Sequence, residues 1–301
     1  MGSTAMPDRA VTEAGRVGVV GAGTMGVGIA YVFAMAGFEV FVVEPGTKAA
    51  ARARAILKET AAGAVSRAKM TAARAEACLS HIRMIEGASE LPDELDVVIE
   101  TVPERRDLKM QVLAEIAERA PRLIATNTSA MSINDLAGAV RDPARFLGMH
   151  FFNPVWSLKL VEVVRGAKTS ADSVERAQTL ASAIGKATAV VADSPGFATS
   201  RLDLVQALEA IRMVEEGVAS PEDIDRAITI AYRHPIGPLR LSDMVGLDVR
   251  LDIARQLAGT IGPHFAPPRL LQDMVARGEL GQKSGKGFYD WATETTYSNA
   301  G

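Results

Sequence analysis

Residues 17–38 form a run of 22 without a single charged side chain, long enough to cross a bilayer. A chain that carries such a run must either place it in lipid or bury it in a large core. Six glycines, Gly18, Gly21, Gly23, Gly26, Gly28 and Gly37, interrupt it, most of them in its first half. No basic cluster flanks its start. The opening MGSTAMPDRA does not read as a signal peptide, because Asp8 and Arg9 break any apolar core. The alternative is a buried strand, a tight glycine turn and a buried helix, end to end. Residues 16–20 are a short β-branched run, and residues 26–36 read as a helix with Gly37 as its C-cap. Residues 39–43 are a second apolar run, rich in Val and Phe, as expected of a strand buried on both faces. Strand, turn, helix and strand in fewer than 30 residues begin a βαβ unit.

The remainder of the chain decides between the two. Residues 47–81 are Ala-rich and studded with Arg and Lys, giving one or two exposed helices. Residues 96–101 (DVVIET) and 123–126 (LIAT) read as strands, with a helix at 105–119 between them. Residues 146–151 and 160–164 are two more strands, and a helix at 172–185 precedes a last strand at 187–192. Such alternation implies a mostly parallel sheet with helices on both faces, and leaves no role for a membrane span. After Asp193-Ser194-Pro195-Gly196 the strand pattern stops, and residues 201–216, 221–232, 249–258 and 268–277 read as helices. The expected fold class is α/β, with a mostly parallel sheet over residues 12–192 and an all-helical domain over 193–301.

Composition narrows the partners. Hydrophobic residues at 48% and charged residues at 23% exclude a disordered chain. The 33 Lys and Arg against 36 Asp and Glu leave a net charge of −3 with no basic stripe, which argues against nucleic acid. The lone Cys78 cannot form an internal disulfide, which fits a reducing cytoplasm.

The turn itself is Gly21-Ala22-Gly23-Thr24-Met25-Gly26, a G-x-G-x-x-G pattern set between a strand and a helix. Its first glycine permits the tight turn, the second lets a pyrophosphate approach the backbone, and the third lets helix pack on strand. The helix N-terminus offers free N–H groups and a partial positive charge to the phosphates, and Thr24 and Met25 of the turn are expected to bind the cofactor. Glu44, at the end of the second strand, is placed to accept hydrogen bonds from both ribose hydroxyls and to repel a 2′-phosphate, favouring NAD over NADP.

His150 stands at the end of an apolar strand, and Glu162 lies twelve residues on within LKLVEVV. A carboxylate in a buried strand is costly unless a partner compensates it, and His150 is that partner if the two strands are neighbours. The Glu would fix the tautomer, orient the ring and stabilise the imidazolium, leaving His150 to take a hydroxyl proton while NAD takes a hydride. The alternatives are a structural histidine, and a surface pair between Glu162 and Lys159 or Arg165. Asn127-Thr128-Ser129 follows the strand LIAT at its carboxyl end, where open α/β sheets bind ligands. Ser129 either holds a substrate oxygen or caps the helix starting near Ile133. Glu104 and Lys109 either border the nicotinamide or are solvated helix residues. His81, His150, His234 and His264 are scattered, so no metal site is expected.

Taken together, GAGTMGVGIA, VIETVPE, ATNTSAMSI, GMHFFNPV, KLVEVV, DSPGF, EEGVASPEDID, PIGPLRLSDMVGLD and GQKSGKGFYDW resemble the L-3-hydroxyacyl-CoA dehydrogenase family over nearly the whole chain. The resemblance implies an N-terminal Rossmann domain for NAD, a helical C-terminal domain that dimerises, and a substrate cleft between them. It implies a cytoplasmic homodimer that interconverts an L-3-hydroxyacyl-CoA and its 3-ketoacyl form, with a short acyl chain such as 3-hydroxybutyryl. His150 would be the base, Glu162 its partner, and Ser129 a contact to the substrate oxygen. Two positions depart from the pattern: Ser200 stands where the family carries an Asn that contacts substrate oxygen, and Trp156 where it carries Pro. They leave a second reading, the same hydride chemistry on a hydroxy acid, a carnitine-like alcohol or a carrier-bound acyl group. The retained Lys159 favours the CoA thioester, as do Arg67 and Lys69 in the helical excursion where the family receives CoA. A third reading is a non-catalytic NAD-binding protein, against which the intact His150 and Glu162 argue.

Overall fold

A computed structural model describes residues 15–294; the opening segment considered as a signal peptide lies outside them. The chain divides into two compact units, Met1–Ser194 and Pro195–Gly301. The first is built on eight strands: β1 (Arg16–Val20), β2 (Glu39–Val43), β3 (Ile82–Ile85), β4 (Val97–Glu100), β5 (Ile124–Thr126), β6 (Phe146–Phe151), β7 (Leu160–Arg165) and β8 (Ala187–Ala192). They form one sheet in the order β3-β2-β1-β4-β5-β6-β7-β8. Strands β1 to β6 run parallel, β7 is antiparallel to β6, and β8 is parallel to β7. The order reverses between β1 and β4, the switch point at which this class of sheet opens a crevice at its carboxyl edge. Fold class is therefore as expected: α/β, mostly parallel, of the Rossmann type.

Helices α1 (Thr24–Met35), α2 (Thr47–Ser66), α3 (Ala72–Ser80) and α6 (Ala171–Ala183) bury Ile29, Phe33, Leu57, Cys78 and Leu180 against Val17, Val42, Ile99, Met149 and Val163. Helices α4 (Arg106–Ala117) and α5 (Ile133–Leu136) belong to the other face; Ile133 fits against Gly148 and Val164. The uncharged run of the sequence is thereby explained. β1 has a buried core, and α1 is apolar all round because Gly26 through Ala34 are all buried. Among the described residues, no helix is long and apolar enough to cross a membrane. Burial pushes the Cys78 thiol up to about 11, so this cysteine packs as a hydrophobe.

Two elements of this unit differ from the sequence reading. β3 was absent from it; its four residues carry Arg83 in the middle and sit on the sheet edge, where a full apolar run is not needed. Helix α1 starts at Thr24, two residues before the expected position, because Gly23 already serves as N-cap.

The second unit comprises α7 (Thr199–Glu215), α8 (Pro221–Ala231), α9 (Pro238–Val245), α10 (Leu247–Thr260), α11 (Arg269–Ala276) and α12 (Trp291–Glu294). Its core is Leu204, Leu208, Ile211, Leu239, Leu251, Leu257, Phe265 and Leu271 with neighbours. The unexpected helix is α9: Gly237-Pro238 reads as a separator, yet Pro at the first helical position is pre-set for a helix. Two buried aspartates explain the motifs around it. Asp243 accepts from the N–H groups of Phe288 (3.0 Å) and Tyr289 (2.9 Å) and from the Trp291 indole (2.9 Å). Asp225 accepts from the N–H groups of Leu239 and Arg240 and from the Tyr289 hydroxyl. Arg240 stacks between Tyr289 and Trp291 at 4.9 and 4.8 Å from the ring centres. Replacing Asp243 with Ala removes the acceptor shared by three part-buried donors and is expected to cost about 3 kcal/mol, read as a lowered urea midpoint. An unchanged midpoint would contradict this assignment.

Candidate active site

The carboxyl ends of β1, β4, β5 and β6 end in a pocket of about 250 Å³, lined among others by Met25, Thr101, Glu104, Lys109, Asn127, Ser129 and His150. The glycine loop forms one wall. A Cβ at Gly26 would fall 1.9 Å from the Gly21 carbonyl oxygen, so only glycine lets α1 start this close to β1. A Cβ at Gly23 would meet nothing within 4 Å, so the backbone here is open to an approaching group. No side chain caps α1 and its first turn carries no acid. The N–H groups of Thr24 and Met25 precede the first intrahelical bond, from Val27 to Gly23 at 2.9 Å. This is an anion cradle, and it fits a dinucleotide pyrophosphate. The Thr101 hydroxyl, 2.8 Å from the Gly21 carbonyl, ties the loop to β4. Glu44 follows β2 and accepts from the N–H groups of Ala22 at 3.3 Å and Gly46 at 3.0 Å, which sets its carboxylate at the loop.

His150 and Glu162 face each other across the β6–β7 ladder as a direct register pair. His150 Nδ1 lies 2.8 Å from Glu162 Oε2, and Glu162 is 0% exposed. The carboxylate makes Nδ1 the donor, which leaves Nε2 as the basic nitrogen of the neutral ring. Glu162 is buried and so is not a surface partner of Lys159 or Arg165, and His150, 7% exposed, lines the pocket.

Ser129 is exposed at the pocket wall, and it does not cap α5. That role belongs to Ser132, whose hydroxyl accepts from Asp135 N–H at 3.2 Å. Asn127 lines the pocket and accepts from Phe151 N–H at 2.9 Å, pinning the end of β6. Lys109 is not a solvated helix residue: it is 1% exposed and bonds both oxygens of Glu100, at 2.8 and 3.0 Å. Glu104 contacts Lys109 at 3.2 Å and takes a short hydrogen bond from the Thr128 hydroxyl. Ser200 lies in the first turn of α7, in the second unit. Trp156 sets its edge against Tyr31 of α1, with ring centres 6.4 Å apart, and remains 45% exposed. Its loop is held by Lys186, whose ammonium donates to the Val155 and Leu158 carbonyls at 2.6 Å each. Burial holds that ammonium below the usual lysine pKa.

Sequence reasoning missed Glu100, Thr126 and Thr128. Glu100 is fully buried and accepts from Lys109, from Val102 N–H at 2.6 Å and from the Thr126 hydroxyl at 2.6 Å. Its signal was available: VVIE holds a carboxylate inside an apolar strand, as KLVEVV does. Thr128 receives the N–H of Met131 at 2.9 Å and so shapes the turn that presents Ser129.

A Rossmann sheet, an uncapped glycine loop with an acid at the ribose position, and a buried His–Glu pair at the switch point define a nicotinamide-dependent dehydrogenase. The family model for the 3-hydroxyacyl-CoA dehydrogenase NAD binding domain matches residues 16–194, and that for the C-terminal domain matches residues 196–291. The chain belongs to the 3-hydroxyacyl-CoA dehydrogenase family and is an NAD-dependent oxidoreductase. It is 42% identical over 281 residues to a 3-hydroxybutyryl-CoA dehydrogenase of Mycobacterium tuberculosis, covering 92% of this chain and 98% of the relative. A probable 3-hydroxybutyryl-CoA dehydrogenase of Bacillus subtilis is 37% identical, over 94% of this chain and 100% of its own. The crystal structure of (S)-3-hydroxybutyryl-CoA dehydrogenase from Ralstonia eutropha superposes with a TM-score of 0.88 at 37% identity, covering 93% of this chain and 99% of that one.

Glu162→Gln keeps the shape and removes the charge that supports the imidazolium. It is expected to lower kcat by about 10²-fold or more with little change in KM. A variant with wild-type kcat would show that the pair is structural.

Proposed function

We propose that the chain oxidises L-3-hydroxyacyl-CoA thioesters of short acyl chain, 3-hydroxybutyryl-CoA first among them, to the 3-ketoacyl-CoA and catalyses the reverse reduction. The 2.8 Å contact between His150 and Glu162 at the pocket carries this reading, supported by the names of the relatives. His150 takes the proton of the 3-hydroxyl at Nε2, and Glu162 holds the ring and steadies the resulting imidazolium. The Ser129 hydroxyl donates to the substrate oxygen, and Ser200 stands where the family pattern has an Asn that contacts substrate oxygen. Gly21, Gly23, Thr24, Met25 and Gly26 hold the dinucleotide phosphates, Glu44 its ribose, and Glu104, Lys109 and Asn127 its nicotinamide end. When bound, NAD supplies the acceptor for the hydride leaving carbon 3.

The helical region 193–301 serves substrate binding and homodimerisation, and the 12–192 region serves NAD. Support for pairing comes from the exposed apolar side chains Leu202, Ile230 and Tyr232 on α7 and at the end of α8. The enzyme works in the cytoplasm, where an unpaired buried Cys78 is stable.

NADH formation from (S)-3-hydroxybutyryl-CoA tests the proposal directly. The wild type is expected to turn over, and His150→Ala is expected to lose about 10²–10⁴-fold. No turnover of this thioester, with turnover of a hydroxy acid or a carnitine-like alcohol, would move the assignment to the second substrate class. Glu44→Ala removes the ribose acceptor and is expected to raise KM for NAD about tenfold while narrowing the preference over NADP. An unchanged cofactor preference would contradict the role given to Glu44.

A further inference from the structure

The network at the nicotinamide end carries one more negative charge than its structural task requires, and we infer that this surplus selects the oxidised cofactor over the reduced one. The inference rests on the reading above that the dinucleotide ends in this pocket. Lys109 has three ammonium protons. Both oxygens of Glu100 and the Val102 carbonyl, at 2.8, 3.0 and 3.2 Å, already supply three acceptors. Glu104 adds a fourth contact at 3.2 Å. The unit therefore holds two carboxylates against one ammonium, a net charge of −1, with Glu104 and Lys109 on the pocket wall and Glu100 buried behind them. Arg105, next to Glu104, is exposed to solvent, and Arg106 is engaged bidentately by Asp135 at 2.7 and 2.8 Å, a pair without net charge.

The sheet register aims this charge at the reaction. Glu100 pairs with Thr126, and Thr126 with Gly148, two residues before His150. Glu100, Thr126 and His150 thus share one face of the sheet at its carboxyl edge. Oxidised and reduced nicotinamide differ by one positive charge. Alcohol oxidation removes a hydride with its electron pair from carbon 3 and delivers the hydroxyl proton to His150, so the positive charge lost at the ring reappears on the imidazole. Each end of that transfer has its own carboxylate system. Glu162 stabilises the charge on His150, and the Glu100–Lys109–Glu104 unit stabilises it on the ring. Their balance sets how far the reaction lies toward ketone on the enzyme.

The test is binding rather than turnover. NADH is titrated by its fluorescence and NAD by competition, without substrate, for the wild type, Glu104→Gln and Glu100→Gln, with Glu175→Gln, an exposed carboxylate on α6, as the control. Removing one carboxylate charge at this pocket is worth about tenfold. The ratio Kd(NAD)/Kd(NADH) is expected to rise by about that factor in Glu104→Gln, to rise in Glu100→Gln, and to stay unchanged in Glu175→Gln. A purely structural role would weaken both forms equally, and an unchanged ratio in Glu104→Gln would overturn the inference. Glu104 has a side chain 41% exposed, so this variant decides the matter even if the buried Glu100→Gln does not fold. A wild type that binds neither form would instead overturn the functional reading beneath it.

Discussion

Two carboxylates, Glu100 and Glu162, are completely buried in strands that are otherwise apolar, and the active end of the sheet is arranged around their needs. A buried charge without a partner costs several kcal/mol, so each demands a cation or a set of donors at fixed distance. Glu162 is met by His150 across an antiparallel ladder. That direction matters. If β7 ran parallel to β6, its first residues would lie at the amino edge of the sheet, far from the ligand crevice. Running antiparallel, β7 brings Glu162 beside the carboxyl end of β6, where the crevice is. Glu100 is met by Lys109 from the helix that follows β4, and by Thr126 from the neighbouring strand.

These pairs also link the two walls of the pocket. Thr101 lies one residue after Glu100 and holds the glycine loop by its hydroxyl. Thr128 lies two residues after Thr126 and shapes the turn that carries Ser129. Asn127 ties that same turn to the end of β6 beside His150. The glycine loop, Ser129 and His150 are thus set by one continuous set of hydrogen bonds along adjacent strand ends. Beyond β6, Lys186 clasps the loop that carries Trp156 through two backbone carbonyls.

Much of this was legible in the sequence, for stated physical reasons. Strands buried on both faces must be apolar throughout, so β1, β2, β6 and β7 stand out. A lone Glu inside KLVEVV must have a partner, so His150 and Glu162 could be joined before any coordinates. β3 escaped because an edge strand of four residues with a central Arg satisfies no strong pattern. The helix α9 escaped because Gly-Pro serves equally as a break and as a helix start. Lys109 carried an overlooked signal: with Val112, Leu113 and Ile116 it lies on the inward stripe of α4, where a lysine must have a buried acceptor. Thr126 and Thr128 carried none, since threonine is ordinary in strands and turns, and only the register gives them roles.

The proposed activity depends on direct hydride transfer from carbon 3 of a hydroxyacyl thioester, with His150 taking the proton. The most direct measurement uses (S)-3-hydroxybutyryl-CoA deuterated at carbon 3 and follows the mass of the reduced cofactor. The deuterium is expected to appear in NADH. Reduced cofactor that carries only solvent hydrogen, or ketone formed without any reduced cofactor, would contradict it.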